Sequence, residues 1–187
     1  MALLSYCGEL ARSGDHDRFL AALFAPEPAR IHLFALSAFN LEIARIHEQV
    51  SEPLLGEIRL QWWREGIEAI YAQQPVRSHP VLQPLQQAIA LCALPRQPFD
   101  ALIDAYGGLF ANPQPGSLTE LEGFVDATGG GLMRLAIAVL GEGASDDMVR
   151  HAALAFGLTG VLRNVGFHAA QHRILLPRDL MQAEGLT

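Results

Sequence analysis

Residues 29–50, ARIHLFALSAFNLEIARIHEQV, constrain the fold more than any other stretch of the chain. At helical spacing Ile31, Phe34, Ala38 and Leu41 form one apolar stripe, and Leu33, Leu36, Phe39 and Ile43 cover much of the remaining circumference. A helix that is apolar nearly all round has to be enclosed by other elements. Its polar residues gather towards the C-terminal half, at Asn40, Glu42, Arg45, His47 and Glu48. A buried helix with one polar end suggests the wall of a cavity.

What encloses it must also be helical, because alternating β-branched runs are nearly absent. The spacing predicts further helices over 1–12, 17–24, 53–73, 80–93, 98–110 and from 117 to about 140, with one long helix over 145–171. Ser117 and Glu120 form a capping-box start, and Pro177 stops the last helix from continuing. Gly129-Gly130-Gly131 interrupts a helix at a cost of roughly 1 kcal/mol per glycine. The triplet is read as a kink or close helix packing, or else as backbone brought close to a ligand. Trp62 and Trp63 are read as core anchors.

With 187 residues, 50% hydrophobic and 18% charged, the chain suits a single all-α domain over 1–187. Cys7 and Cys92 match no zinc spacing and fit a reducing compartment. The start of the chain lacks a basic segment of signal-peptide type, and no run of about 18 uncharged apolar residues appears. The net charge of −7 argues against nucleic acid as a partner. The expected location is the cytoplasm or an organelle matrix, with peripheral membrane contact compatible with the sequence.

Residues 157–177, GLTGVLRNVGFHAAQHRILLP, resemble the second signature of the squalene/phytoene synthase family, roughly NxLRDxxEDxxxGRxYLP. Arg163, Arg173 and Pro177 match; Asn164 and His168 stand at the metal-binding aspartate positions and Phe167 at the glutamate. Residues 39–48, FNLEIARIHE, stand where the resemblance places the first signature, similar to FCRxxDDxxD. Ala44 and Arg45 then replace the paired aspartates and Glu48 the third. A further aspartate is missing around Gly107-Gly108-Leu109. The runs FNLEIAR, 39–45, and SEPLLGEIRLQWWR, 51–64, are similar to a branch that includes a mitochondrial complex I assembly factor and bacterial relatives.

The resemblance implies an isoprenoid-synthase-like antiparallel helical bundle around a central apolar cavity, with 29–50 and 145–171 facing each other across it. Family members continue through more helices after the second signature, so the chain is expected to be C-terminally truncated. In the family both helices present aspartates to Mg²⁺, which holds the diphosphate of a prenyl substrate. Diphosphate departure needs such charge, and Mg²⁺ needs several hard oxygen ligands. Here one carboxylate of about five remains. Ala44, Arg45, Glu48, Asn164 and His168 are therefore vestigial positions, and neither a catalytic residue, a metal ligand nor a cofactor is expected.

The same substitutions reverse the local charge. Arg45, Arg163, His168, His172 and Arg173, with Glu48 as counterion, are candidates to hold an isoprenoid or phosphate-bearing lipid directly, since arginine forks onto phosphate oxygens. The plainer alternative has Arg45 and Arg163 in structural ion pairs with Glu48 or Glu42. His168 and His172 also have zinc-ligand spacing, with His47 the conceivable third ligand. Two functional readings follow. One is a non-catalytic isoprenoid- or lipid-binding or assembly protein with protein partners in a complex. The other is an active prenyl transferase, joining prenyl diphosphates head to head, with a noncanonical site and Mg²⁺.

Overall fold

The computed structural model describes residues 4–50, 52–171 and 173–186. Eleven α-helices and one π turn are the regular elements of the described residues, and no strand occurs among them. The predicted helix over 29–50 is α3, Glu27–Gln49, started by Pro28 in its first turn. Its residues from Phe34 to Phe39 are buried all round, together with Leu41, Ile43 and Ile46. It packs on α1 (Tyr6–Gly14), α2 (His16–Leu23), α4 (Pro53–Tyr71), α5 (Leu82–Cys92), α6 (Gln97–Ala111) and α8 (Gly131–Leu140). Phe39 lies at the centre, fully buried, with edge-on contacts to Trp63 of α4 and Phe99 of α6 at centroid distances of 5.5 Å each. Trp63 is thus a core anchor, while Trp62 is only half-buried, its ring tilted against His79 at 5.1 Å.

Several boundaries differ from expectation. Ser5 caps α1, accepting from the Gly8 N–H, so the first helix starts later than predicted and includes Gly14. Ser117 caps α7, Leu118–Val125, by accepting from the Glu120 N–H. The Glu120 carboxylate reaches back to the Gly116 N–H rather than to Ser117, closing a capping box shifted by one residue. The long helix predicted over 145–171 is broken: α9 covers Asp146–Arg163 and α10 covers Val165–Ala170, with Asn164 as a one-residue joint. Asparagine and the following Gly166 are poor helix formers, which locates the break. Pro177 ends the preceding segment but also starts a new helix, α11, Arg178–Ala183.

The glycine triplet lies at a π turn, Asp126–Gly130, that joins α7 to α8. A Cβ on Gly130 would press on Asp126 and Arg134, and one on Gly131 would touch the Pro98 backbone. The crowding at Gly130 comes from flexible side chains of its own helical run, and the approach at Gly131 is ordinary packing contact with α6. The segment Leu118–Leu140 is long and apolar enough to cross a membrane by length and composition, but here α8 packs on α3 and α6, and the π turn packs on α9.

α9 packs on α7, the π turn and α8, and Gly157 abuts Val125 so closely that no Cβ would fit. α8 thus contacts both α3 and α9. Between α2, α3 and α8 lies an apolar cavity of about 430 Å³, lined by Leu33, Leu36, Leu132, Met133, Phe24 and, at one edge, Arg18.

Candidate functional site

Tyr106 of α6 gathers the charged residues of the site. Burial pushes its phenol up to about 12; the nearby Arg18 and Arg173 act against that rise, and Glu48 and Asp15 reinforce it. The side chain is half-buried, and its ring packs edge-on against Phe124 of α7 at 5.4 Å. The charges that act on this phenol come from separate elements: Arg18 from α2, Glu48 from α3 and Arg173 from the segment after α10.

Each side chain has an identifiable support. Arg18 is ion-paired to Asp15, the N-cap of α2, and its guanidinium lies over the Phe156 ring of α9 at 4.9 Å. Arg173 is brought in by a tether between the C-terminal segment and the α6–α7 loop. There the Gln114 side-chain amide donates to the Leu176 carbonyl (3.0 Å), and the Arg178 N–H donates to the Pro115 carbonyl (2.9 Å). His47 fixes the α3–α6 contact. Its ring stacks on Phe110 at 3.7 Å, and its Nε2 donates to the Tyr106 carbonyl at 2.7 Å.

His47 is held below its ordinary value of 6.5, mainly by burial, with the Tyr106 hydrogen bond opposing and Arg173 adding to the shift. The unfolded chain then takes up a proton before the folded one does. His47 stability is complete above the unfolded-state value and falls as pH drops through 6.5 towards the folded-state value. Urea unfolding across that range is expected to show stability rising with pH, and His47→Gln to flatten the slope.

The structure brings only some of the sequence-predicted residues together. His168 feels both Arg173 and Glu48; burial lowers its ring below the ordinary 6.5, Arg173 adds to this, and Glu48 opposes it. Its Nδ1 is buried and without a hydrogen-bond partner among the described residues, and the ring lines a small apolar cavity of about 170 Å³ with Arg173, Val161 and Met181. Arg163 does not join this group. It is exposed at the end of α9 and forms an ion pair with Asp17 of α2 at 3.2 Å. Arg45 forms no ion pair among the described residues; its guanidinium lies against Gly14 at the end of α1. The ion pairs of Arg45 and Arg163 with Glu48 or Glu42 are therefore not formed, because α1 and α2 lie nearer to those guanidinium groups. Asn164 is exposed at the helix joint and Ala44 is half-buried on α3. His172 lies outside the described residues.

The donor set does not fit a Mg²⁺ cluster. Glu48 is exposed and the other vestigial positions offer alanine, arginine, amide and imidazole. Among the described residues no group of three or more His, Cys, Asp or Glu side chains could hold a metal ion. The zinc arrangement with His47 as third ligand also needs His172, which lies outside the described residues.

Arg18, Asp15 and Tyr106 were not legible as site residues. They stand on α2 and α6, outside both signatures, and no sequence spacing relates them to Arg173.

The sequence profile described as Squalene/phytoene synthase matches residues 11–187. The chain belongs to the squalene/phytoene synthase family. Similar relatives include NADH dehydrogenase (ubiquinone) complex I, assembly factor 6 from Bos taurus. It is 30% identical over 97% of this chain and 55% of its own length. Presqualene diphosphate synthase from Rhodopseudomonas palustris is 27% identical over 90% of this chain and 61% of its length. The chain thus spans about half the length of the curated relatives it matches first. Among solved structures, squalene synthase HpnC from Alicyclobacillus acidocaldarius superposes with a TM-score of 0.82 at 21% identity, over 97% of this chain and 68% of that one. A dehydrosqualene synthase gives 0.83 at 18% identity, over 97% and 63%. These superpositions establish the all-α isoprenoid-synthase fold for this family member.

Proposed function

We propose that this family member is a non-catalytic domain that holds an isoprenoid or phosphate-bearing lipid without metal and serves in the assembly of a protein complex. One observation carries the reading. Arg18 lines the apolar cavity between α2, α3 and α8, and its charge acts on the same Tyr106 that Arg173 acts on. In this reading an anionic head is held by Arg18 at the cavity edge and drawn by the charge of Arg173, while an apolar tail enters the cavity.

The assembly role is supported by similarity to complex I assembly factor 6 over nearly the whole chain. The lost aspartates support a non-catalytic domain. The proposed location is the cytoplasm or an organelle matrix, in peripheral contact with a membrane. Phe24 supports that contact, since it lines the cavity and stands 92% exposed at its rim.

Farnesyl diphosphate binding, measured calorimetrically in chelator and again with Mg²⁺, tests the proposal. Affinity is expected to be the same in both, and Arg173→Ala to weaken it about tenfold to a hundredfold, the loss of a charge-assisted contact. Pyrophosphate release with Mg²⁺ and NADPH at an enzymatic rate, abolished by Arg173→Ala, would instead establish the active-transferase reading.

A further inference from the structure

We propose that the groove between α4 and α6 is a docking site for an amphipathic helix of a partner protein, one with an apolar ridge and basic flanks. One wall is Leu54, Ile58 and Trp62, spaced four residues apart on a single face of α4. The other is Asp104, Gly107 and Gly108, on a single face of α6. The groove has a volume of about 590 Å³, and Leu54 and Ile58 at its edge are 64% and 57% exposed.

Gly108 is the decisive residue. A Cβ there would meet no atom within 4 Å, and its backbone is ordinary right-handed helix, so nothing inside this fold requires glycine. Glycine within a helix costs about 1 kcal/mol relative to alanine. Close approach of a second backbone is a physical reason to keep it, as at small-residue contacts between helices. The smooth glycine wall of α6 then faces the apolar ridge of α4 across a slot suited to a helix.

Charge selects the kind of helix. The groove carries Glu57, Glu65 and Asp104 against Arg64 alone. Arg64 is taken up by Asp104 at 2.7 Å and Glu65 by Arg77 at 2.9 Å, while Glu57 has no ion-pair partner among the described residues. The remaining negative charge favours lysine or arginine beside the apolar ridge of the incoming helix.

This deepens the assembly half of the proposed function and shares no residue with the proposed lipid site, so the two fail separately. The test uses fluorescein-labelled synthetic peptides and anisotropy: an amphipathic Leu/Lys helix, its Leu/Glu counterpart, and a scrambled Leu/Lys peptide. The Leu/Lys helix is expected to bind, and Gly108→Leu and Ile58→Asp each to weaken it about tenfold. Both changes lie at solvent-facing positions, and helical circular dichroism with a cooperative urea unfolding transition reports that the fold is intact. Equal binding of the scrambled or Leu/Glu peptide, or unchanged affinity in both variants, would overturn the proposal. So would self-association that both variants abolish in sedimentation velocity, which would make a second copy of this chain the occupant.

Discussion

Phe39→Ala is expected to lower the unfolding free energy by about 3–5 kcal/mol, the cost of truncating a fully enclosed aromatic ring. Phe39 has no exposed surface, and the helices that carry Trp63 and Phe99 both close on it edge-on. Leu36, Ile43, Leu60, Ile67, Leu102 and Ile103 of the same core are themselves almost fully buried, so little can move inward to fill the space. Part of the loss is transfer free energy and part is the cavity that remains. Urea unfolding of the variant measures it directly. A loss under about 1 kcal/mol would mean that the centre of the bundle collapses around the missing ring, which the packing of α3, α4 and α6 argues against.

Gly56→Ala and Gly108→Ala are expected to have opposite signs. A Cβ on Gly56 would overlap the Phe110 ring, so α6 or the ring has to shift. Overpacking of this kind costs about 1–3 kcal/mol or more, against a gain of about 1 kcal/mol in helix propensity. The close overlap with the ring puts the cost towards the upper end of that range, for a net loss of up to about 2 kcal/mol. The displacement also spreads. Phe110 stacks on His47, and His47 holds the Tyr106 carbonyl, so Gly56→Ala is expected to weaken farnesyl diphosphate binding as well. Gly108→Ala meets open space and is expected to stabilise by about 1 kcal/mol. Thermal or urea unfolding of the two variants side by side separates them; stabilisation by both would show that the α4–α6 approach at Gly56 is looser than the contact with Phe110 requires.

Amino-acid pattern alone determined the helical class and the identity of the central helix. A period of 3.6 residues is a local property, and an apolar surface on every side of 29–50 leaves no option but enclosure. The depleted signatures were equally legible, because Ala44, Arg45, Asn164 and His168 differ from carboxylates by their chemistry and need no structure to be read. The break at Asn164 was missed. Its residues are only mild helix breakers, and the fold rather than local preference decides whether α9 continues.

Which charges act on Tyr106 was decided only by tertiary structure. Arg163 and Arg173 sit in one signature, yet Arg163 turns to Asp17 while Arg173 is drawn towards Tyr106 by the tether to the α6–α7 loop. Arg18 and Tyr106 join from helices remote in sequence. Electrostatic interaction depends on distance through space, and residues far apart along the chain meet only after the hydrophobic packing of α3, α6 and α8 has fixed where each helix end lies.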